Sequence, residues 1–236
     1  MFNGEAISNA LLVLLCYAYI VLIILVSGRL PQLFGISPKT SRKFLHAMIG
    51  NLLFVIPFFT SSIYPALVAA PFIFVTFLAS PHTPYHSISR RLKGLADITE
   101  KGHSLGLVYY AISYTFLALF FASKPVVIAS GILPMAYGDS LASLLGEKYG
   151  RGKYKIFAEK SLVGSVAMFL GSFCSFAVSL TFFSALYSFA VYDKLVPALA
   201  TAIVATVIEA LSPMGFDNLS VPAFSAGTFL LFGGGA

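Results

Sequence analysis

Residues 138–165 read GDSLASLLGEKYGRGKYKIFAEKSLVGS, and the rest of the chain is read outward from them. A carboxylate, Asp139, sits inside an otherwise apolar segment. Ala142, Ser143 and Gly146 follow it at i+3, i+4 and i+7 and share its helical face. Gly150, Gly152, Lys153 and Lys155 make a flexible basic loop; Lys160-Ser161 then open the next apolar run, with Gly164-Ser165 one turn on. A Ser cap beside a Lys at a helix N-terminus favours anions. The strip of small residues alone is also what close helix packing asks for. The GxxxxGK[ST] spacing of a P-loop is absent. An acid, a small-residue strip and a basic loop closed on a helix start are parts suited to a nucleoside triphosphate and its metal.

The environment of that stretch is lipid. Of 236 residues, 58% are hydrophobic and 10% charged, and the mean hydropathy is +0.89. A soluble domain of this length cannot hide so much apolar surface. Apolar runs fall at 6–27, 44–60, 62–80, 104–123, 125–146, 161–191 and 195–211, with a shorter one at 221–235. They lack the alternation of barrel strands and so predict helices. The expected architecture is an all-α, polytopic transmembrane helix bundle of seven to eight spans. No linker or internal repeat divides residues 1–236, which predicts one integral-membrane domain. The first apolar run has no basic residues before it and is long enough to span, so it is expected to be kept as the first helix. Cys16 and Cys174 both lie in apolar runs, which disfavours a disulfide framework.

Charge orients the bundle. With the N-terminus outside or lumenal, the inward stretches are 28–43, 80–103, 147–160 and 212–220. They hold all but Lys124 and Lys194 of the 15 Lys and Arg. The net charge of +6 therefore reads as positive-inside bias and headgroup contact, not as nucleic-acid binding. The polar clusters share the cytoplasmic ends of the helices, where an active site meets soluble nucleotides. Asp139 would lie about 10 Å inside its span at the helical rise.

Three further clusters carry candidate chemistry. Arg42-Lys43-Phe44-Leu45-His46 puts two cations and an imidazole at the start of a span, a phosphate-binding corner or a snorkelling anchor. In 80–103, Arg90, Arg91 and Lys93 suit headgroups. The proline-interrupted pair His82 and His86 makes a poor zinc site, and Glu100–Ser104 lead into the next span. Glu209 is followed by SPMGFDNLSVP, where Pro213 ends a helix, Gly215 permits a turn and Pro222 suits the first turn of the next helix. Asp217 and Asn218 are explained by an Asx turn or by metal chemistry. Asp139, Asp217 and Glu209 are the candidate Mg²⁺ ligands, because Mg²⁺ takes oxygen donors and few protein ones.

RKFLH at 42–46, GDSLASLLGEKYG at 138–150, EKSLVGS at 159–165 and E-A-L-S-P-x-G-x-DN-L-x-VP at 209–222 together resemble the polyprenol kinase family. That family groups dolichol kinase, phytol kinase and the CTP-dependent diacylglycerol kinase of yeast. The resemblance implies phosphoryl transfer from CTP, with Mg²⁺, to a membrane lipid alcohol, either an isoprenoid alcohol or diacylglycerol. It places essential residues at Arg42, Lys43, Asp139 and Gly146. It also implies an integral multi-pass protein of the cell membrane or endoplasmic reticulum, depending on host. Asp139, Asp217, Arg42, Lys43 and His46 are the expected catalytic set, with His46 or an acid as general base. Gly146, Gly150, Lys153, Lys160, Ser161, Gly164 and Asn218 are expected to bind the nucleotide. Phosphatidate cytidylyltransferases share the layout but have an acid where this chain has Val163. A transporter would spread polar residues through the membrane depth.

Overall fold

The computed structural model describes residues 4–85, 87, 92, 105–157, 159–213 and 215–235. His86, Arg90, Arg91, Lys93 and Glu100–Ser104 lie outside the described residues. The chain divides into two compact units, Met1–Pro125 and Val126–Ala236.

The first unit opens with α1 (Gly4–Phe34), an unbroken apolar helix. Gly35, at φ +64°, ends it in the left-handed conformation that a residue without Cβ adopts most easily. α2 (Pro38–Gly50) follows at once. Ser37 caps it by accepting from the Thr40 amide, and Pro38 occupies the first turn, where its missing N–H removes nothing. The apolar run at 44–60 does not continue as one span. After Gly50 the backbone tightens into a 3₁₀ segment, Asn51–Phe58, that contains Pro57. α3 (Ile63–Ala69) and α4 (Pro71–Ala79) share the next run, and α5 (Gly106–Phe121) packs against both. Asn9 ties α1 down. Its amide donates to the Glu5 carbonyl and the Thr60 hydroxyl, and its oxygen accepts from the Thr60 amide.

The second unit begins with α6 (Pro125–Leu133), whose register is interrupted by a π-helical turn, Pro134–Gly138, before α7 (Asp139–Tyr149). Pro134 thus opens one wide turn immediately before the acid. A short antiparallel hairpin follows, β1 (Lys153–Lys155) with β2 (Glu159–Ser161), pairing Tyr154 with Lys160. The sequence suggests only a loop there. α8 (Leu162–Tyr187) starts at Ser161, whose hydroxyl accepts from the Gly164 amide. α8 packs on α7 and on α9 (Leu195–Leu211), and α9 packs on α10 (Asp217–Leu231). α10 begins five residues before Pro222, which lies inside the helix, not in its first turn. Gly215, at φ +84°, makes the turn earlier. The unit's centre is aromatic and aliphatic, with Phe176 and Phe229 edge to face at 5.0 Å and Leu180, Phe183 and Met168 fully buried around them.

Among the described residues four helical stretches are long and apolar enough to cross a membrane: Gly4–Phe34, Pro125–Tyr149, Leu162–Tyr187 and Val191–Leu211. Ile63–Ala79 and Gly106–Phe121 are apolar but shorter. The polytopic, all-α expectation holds, with fewer full-length spans than the seven to eight read from the apolar runs. Cys16 and Cys174 are both free thiols.

Candidate active site

The second unit gathers residues that are far apart in sequence around one ammonium group. β2 delivers Lys160, whose Nζ donates to Glu209 Oε1 near the end of α9. Glu209 is buried, and the Lys160 side chain keeps 19% of its surface exposed. Burial by itself pulls this lysine down. The Glu209 carboxylate and its hydrogen bond, with the charges of Asp217 and Asp139, outweigh burial and hold the ammonium above its ordinary value. One cation in β2 thus senses acids from α7, α9 and α10.

Each acid has a local cause. Asp139 is the first residue of α7, directly after the π-turn, and is 4% exposed. A π-turn inserts a residue into the helical repeat, so it re-aims whatever follows it. Asp217 opens α10, where a carboxylate is favoured by the amide ends of the helix. Its Oδ1 accepts from the Asn218 backbone amide at 2.9 Å and from the Asn218 side-chain amide at 3.2 Å. Asn218 also donates to the Gly215 carbonyl at 3.3 Å. Asp217 thus bonds its neighbour's two amides, while the Leu219 amide, which an Asx turn would use, donates to the Phe216 carbonyl at 2.9 Å. Ser212 and Ser220 close the connection with a hydroxyl pair at 2.6 Å that the sequence does not mark.

The small-residue strip answers to helix packing. A Cβ on Gly146 would stand 2.9 Å from Ser161 Oγ and 3.2 Å from Gly164 Cα, and one on Gly164 would stand 3.1 Å from the Ala142 carbonyl oxygen. Further along, a Cβ on Gly138 would overlap Ser172 Oγ at 2.2 Å. The side of Gly146 and Gly164 expected to face a nucleotide is thus occupied by the neighbouring helix. A Cβ on Gly150 would meet its own helix first, 2.0 Å from the Gly146 carbonyl oxygen, and Ser161 Oγ at 2.8 Å. The strip clamps α7 onto the start of α8 and so fixes Asp139 relative to Ser161 and Lys160.

Lys153 stands apart from this group. It is exposed on the hairpin and pairs with Glu159 at 2.6 Å. That hydrogen bond raises the lysine and lowers the carboxyl from their ordinary values. The Tyr154 hydroxyl lies 2.6 Å from Ser165 Oγ and pins the hairpin to α8.

Arg42, Lys43 and His46 belong to the first unit. All three are buried on α2, at 3%, 4% and 2% exposure. The Tyr110 hydroxyl donates to the His46 carbonyl at 3.0 Å, and the two rings lie 4.7 Å apart. Sequence reasoning passes over Tyr110 because Tyr is ordinary in membrane helices; only its place at the start of an apolar run hints at it.

Among the described residues no three His, Cys, Asp or Glu side chains are grouped as a ready-made metal site. The donors here, Asp139 and Asp217, are of the right chemistry for Mg²⁺. Glu209 already receives Lys160.

No protein-family model matches the chain, and no solved structure matches it. Curated proteins do. Phytol kinase of Synechocystis is 40% identical over 143 residues, covering 59% of this chain and 60% of that protein. Probable phytol kinase 2, chloroplastic, of Glycine max is 32% identical over 206 residues, covering 84% of this chain and 67% of the relative. Dolichol kinase of Saccharomyces cerevisiae is 30% identical over 216 residues, 86% of this chain but 39% of the yeast protein. The chain thus spans about three-fifths of the Synechocystis relative and two-thirds of the soybean one. With apolar helices of spanning length and relatives of this identity and coverage, the chain belongs to the polyprenol kinase family of phytol and dolichol kinases.

Proposed function

We propose that this protein is a multi-pass membrane kinase that phosphorylates a lipid alcohol of the phytol, geranylgeraniol or polyprenol type. The observation that carries the reading is the group around Lys160, with Glu209 bonded to it and Asp217 and Asp139 acting on it. The names of the relatives support an alcohol acceptor, and the motif resemblance supports CTP as donor. The excess of Lys and Arg in alternate loops supports a cytoplasmic active site and an N-terminus on the other side.

Phosphoryl transfer asks mainly for positioning and charge neutralisation. The lipid hydroxyl oxygen forms a bond to the terminal phosphorus and the bond to the bridging oxygen breaks. The nucleoside diphosphate leaves, and the hydroxyl proton passes to a base. Lys160, held charged by Glu209, neutralises phosphate oxygens beside the amide end of α8. Asp139 and Asp217 would hold Mg²⁺, which neutralises triphosphate charge; Glu209, whose Oε1 receives Lys160, would reach a metal through its other oxygen. Asn218 orients Asp217. Gly146, Gly150 and Gly164 serve by letting α7 approach α8. Arg42 and Lys43 give the first unit an anion-binding corner, and His46 or an acid takes the proton.

The test is purified protein with CTP labelled at the γ or the α phosphate and a panel of phytol, geranylgeraniol, long polyprenols and diacylglycerol. Label from the γ position alone in an isoprenoid alcohol is the expected result. Label from the α position in the lipid, or none from either, refutes the proposal.

A further inference from the structure

The hairpin between α7 and α8 carries two bulky apolar residues at its tip, Ile156 at 51% and Phe157 at 67% exposure. A single exposed apolar residue asks for no explanation, but two neighbours at a turn, where polar residues usually sit, do. The helices on either side show where the bilayer surface falls. The exposed large side chains of α7 are Leu141, Leu145 and Tyr149, and those of the first half of α8 are Leu162, Val166 and Leu170. Each set repeats at i+4 and so forms one helix face. Both faces run to the residue where the helix meets the hairpin, so the lipid-facing surface ends at the hairpin's foot. A Cβ on Gly152, just before β1, would stand 3.4 Å from Leu162 Cδ1, which sets that foot beside the α8 face. Lys148 Nζ lies 5.1 Å from the centre of the Tyr149 ring, and a tyrosine with a lysine above it is what a membrane–water boundary favours. Charge points the same way. The exposed cations Lys148, Arg151, Lys153 and Lys155 outnumber the exposed acids Glu147 and Glu159.

We propose that the hairpin tip docks into the anionic surface of the bilayer beside it. Ile156 and Phe157 enter the boundary of the acyl chains, and Arg151 and Lys155 meet lipid phosphates. The reach is sufficient: a three-residue strand is about 10 Å long, and the polar layer on each side of the hydrocarbon is about 5–8 Å thick. The hairpin that delivers Lys160 to its acids is thereby held at the membrane surface. The proposal shares with the kinase reading above only the bilayer setting.

The chain has no tryptophan, so Phe157→Trp places a single fluorophore at the tip. The experiment puts the full chain in nanodiscs of phosphatidylcholine, alone or mixed with phosphatidylserine, with a nitroxide on a shallow acyl carbon of the lipid. In the mixed discs the emission is expected to be blue-shifted and quenched. A cation close to an anionic leaflet changes a docking equilibrium about fivefold. Arg151→Gln combined with Lys155→Gln should therefore lower the docked-to-undocked ratio about thirtyfold, and phosphatidylcholine alone should lower it at least as far. Ile156→Trp is a second reporter and should behave alike, which guards against a fault in either substitution. Leu170→Trp is the control. It lies eight residues along α8 from Leu162, about 12 Å at the helical rise, and should be quenched from deep acyl carbons whatever the headgroup. Quenching of the Leu170→Trp protein without quenching at the tip overturns the docking and leaves the bilayer reading intact; no quenching at any of the three positions overturns both. Equal tip quenching in phosphatidylcholine alone overturns the proposal, as does a blue shift that grows with protein concentration and is untouched by lipid quenchers, which assigns the tip to another protein. None of these readouts needs phosphate transfer, so a docked tip on a protein that phosphorylates no alcohol fails the kinase reading and keeps this one.

Discussion

Glu209→Gln separates the ion pair from the hydrogen bond, because the amide still offers Lys160 an oxygen. Removing one partner from a fully buried pair costs about 3–5 kcal/mol. Lys160 is one-fifth exposed, and Asp217 and Asp139 still act on it, so the loss here is expected nearer 1–2 kcal/mol. At about 2–4 °C per kcal/mol for a chain of this size, the midpoint of thermal unfolding should fall by about 2–8 °C. Transfer should fall further than stability explains, by about 10–100-fold in kcat/KM, since each tenfold is about 1.4 kcal/mol of misplaced charge at the transition state. The control is Lys160→Met combined with Glu209→Leu. Replacing both partners of a buried pair by apolar groups is often close to neutral for folding, so this double variant should melt within about 3 °C of wild type while transferring no phosphate. The assays are a detergent-phase melt and γ-label transfer at saturating alcohol. A Glu209→Gln protein with wild-type melting and turnover, or an active double variant, refutes the reasoning.

Asp139→Asn should abolish detectable transfer while leaving the melt within a few degrees; normal turnover in that variant removes Asp139 from the chemistry. Gly150→Ala should destabilise more than Gly146→Ala, because its Cβ would meet backbone at 2.0 Å instead of a hydroxyl at 2.9 Å. About 3 kcal/mol or more against about 1–3 kcal/mol is expected from paired melts. Ser161→Ala removes the α8 cap and should lower stability by about 1 kcal/mol, with Ser161→Asp restoring it. The pH dependence follows from Lys160, whose folded value is raised above the ordinary 10.5. Its contribution to stability is fully present below pH 10.5 and is lost only as pH climbs through the raised folded value. Glu209→Gln should therefore flatten the alkaline limb of the stability profile measured from pH 9 to 12 and leave the neutral region parallel to wild type.

Much of this was legible in the sequence because lipid leaves a chain few options. Uninterrupted apolar runs must be helices, and the acids inside them stand out. The span count was less legible. Apolar length does not reveal where Asn51–Phe58 tightens to 3₁₀ geometry or where α10 starts, since those depend on Pro57 and Gly215 in their packed settings. The site residues were visible singly but not as pairs. Lys160 and Glu209 are 49 positions apart, and nothing local joins them. A missing side chain that admits a ligand and one that admits a neighbouring helix look the same in one dimension, and at Gly146 the neighbouring helix is there. An exposed basic hairpin and a basic ligand loop have the same composition, so the pairing of Lys153 with Glu159 was not legible either.

The hairpin that carries Lys160 is only three residues on each side, and Tyr154 faces Lys160 across it. Successive side chains on a strand point opposite ways, so slipping the pairing by a single position would turn the ammonium away from its acids. Deleting one residue between Lys155 and Glu159 is thus a harsher change than its surface location suggests. Length in that short connection, more than its composition, is what natural or engineered variants must keep.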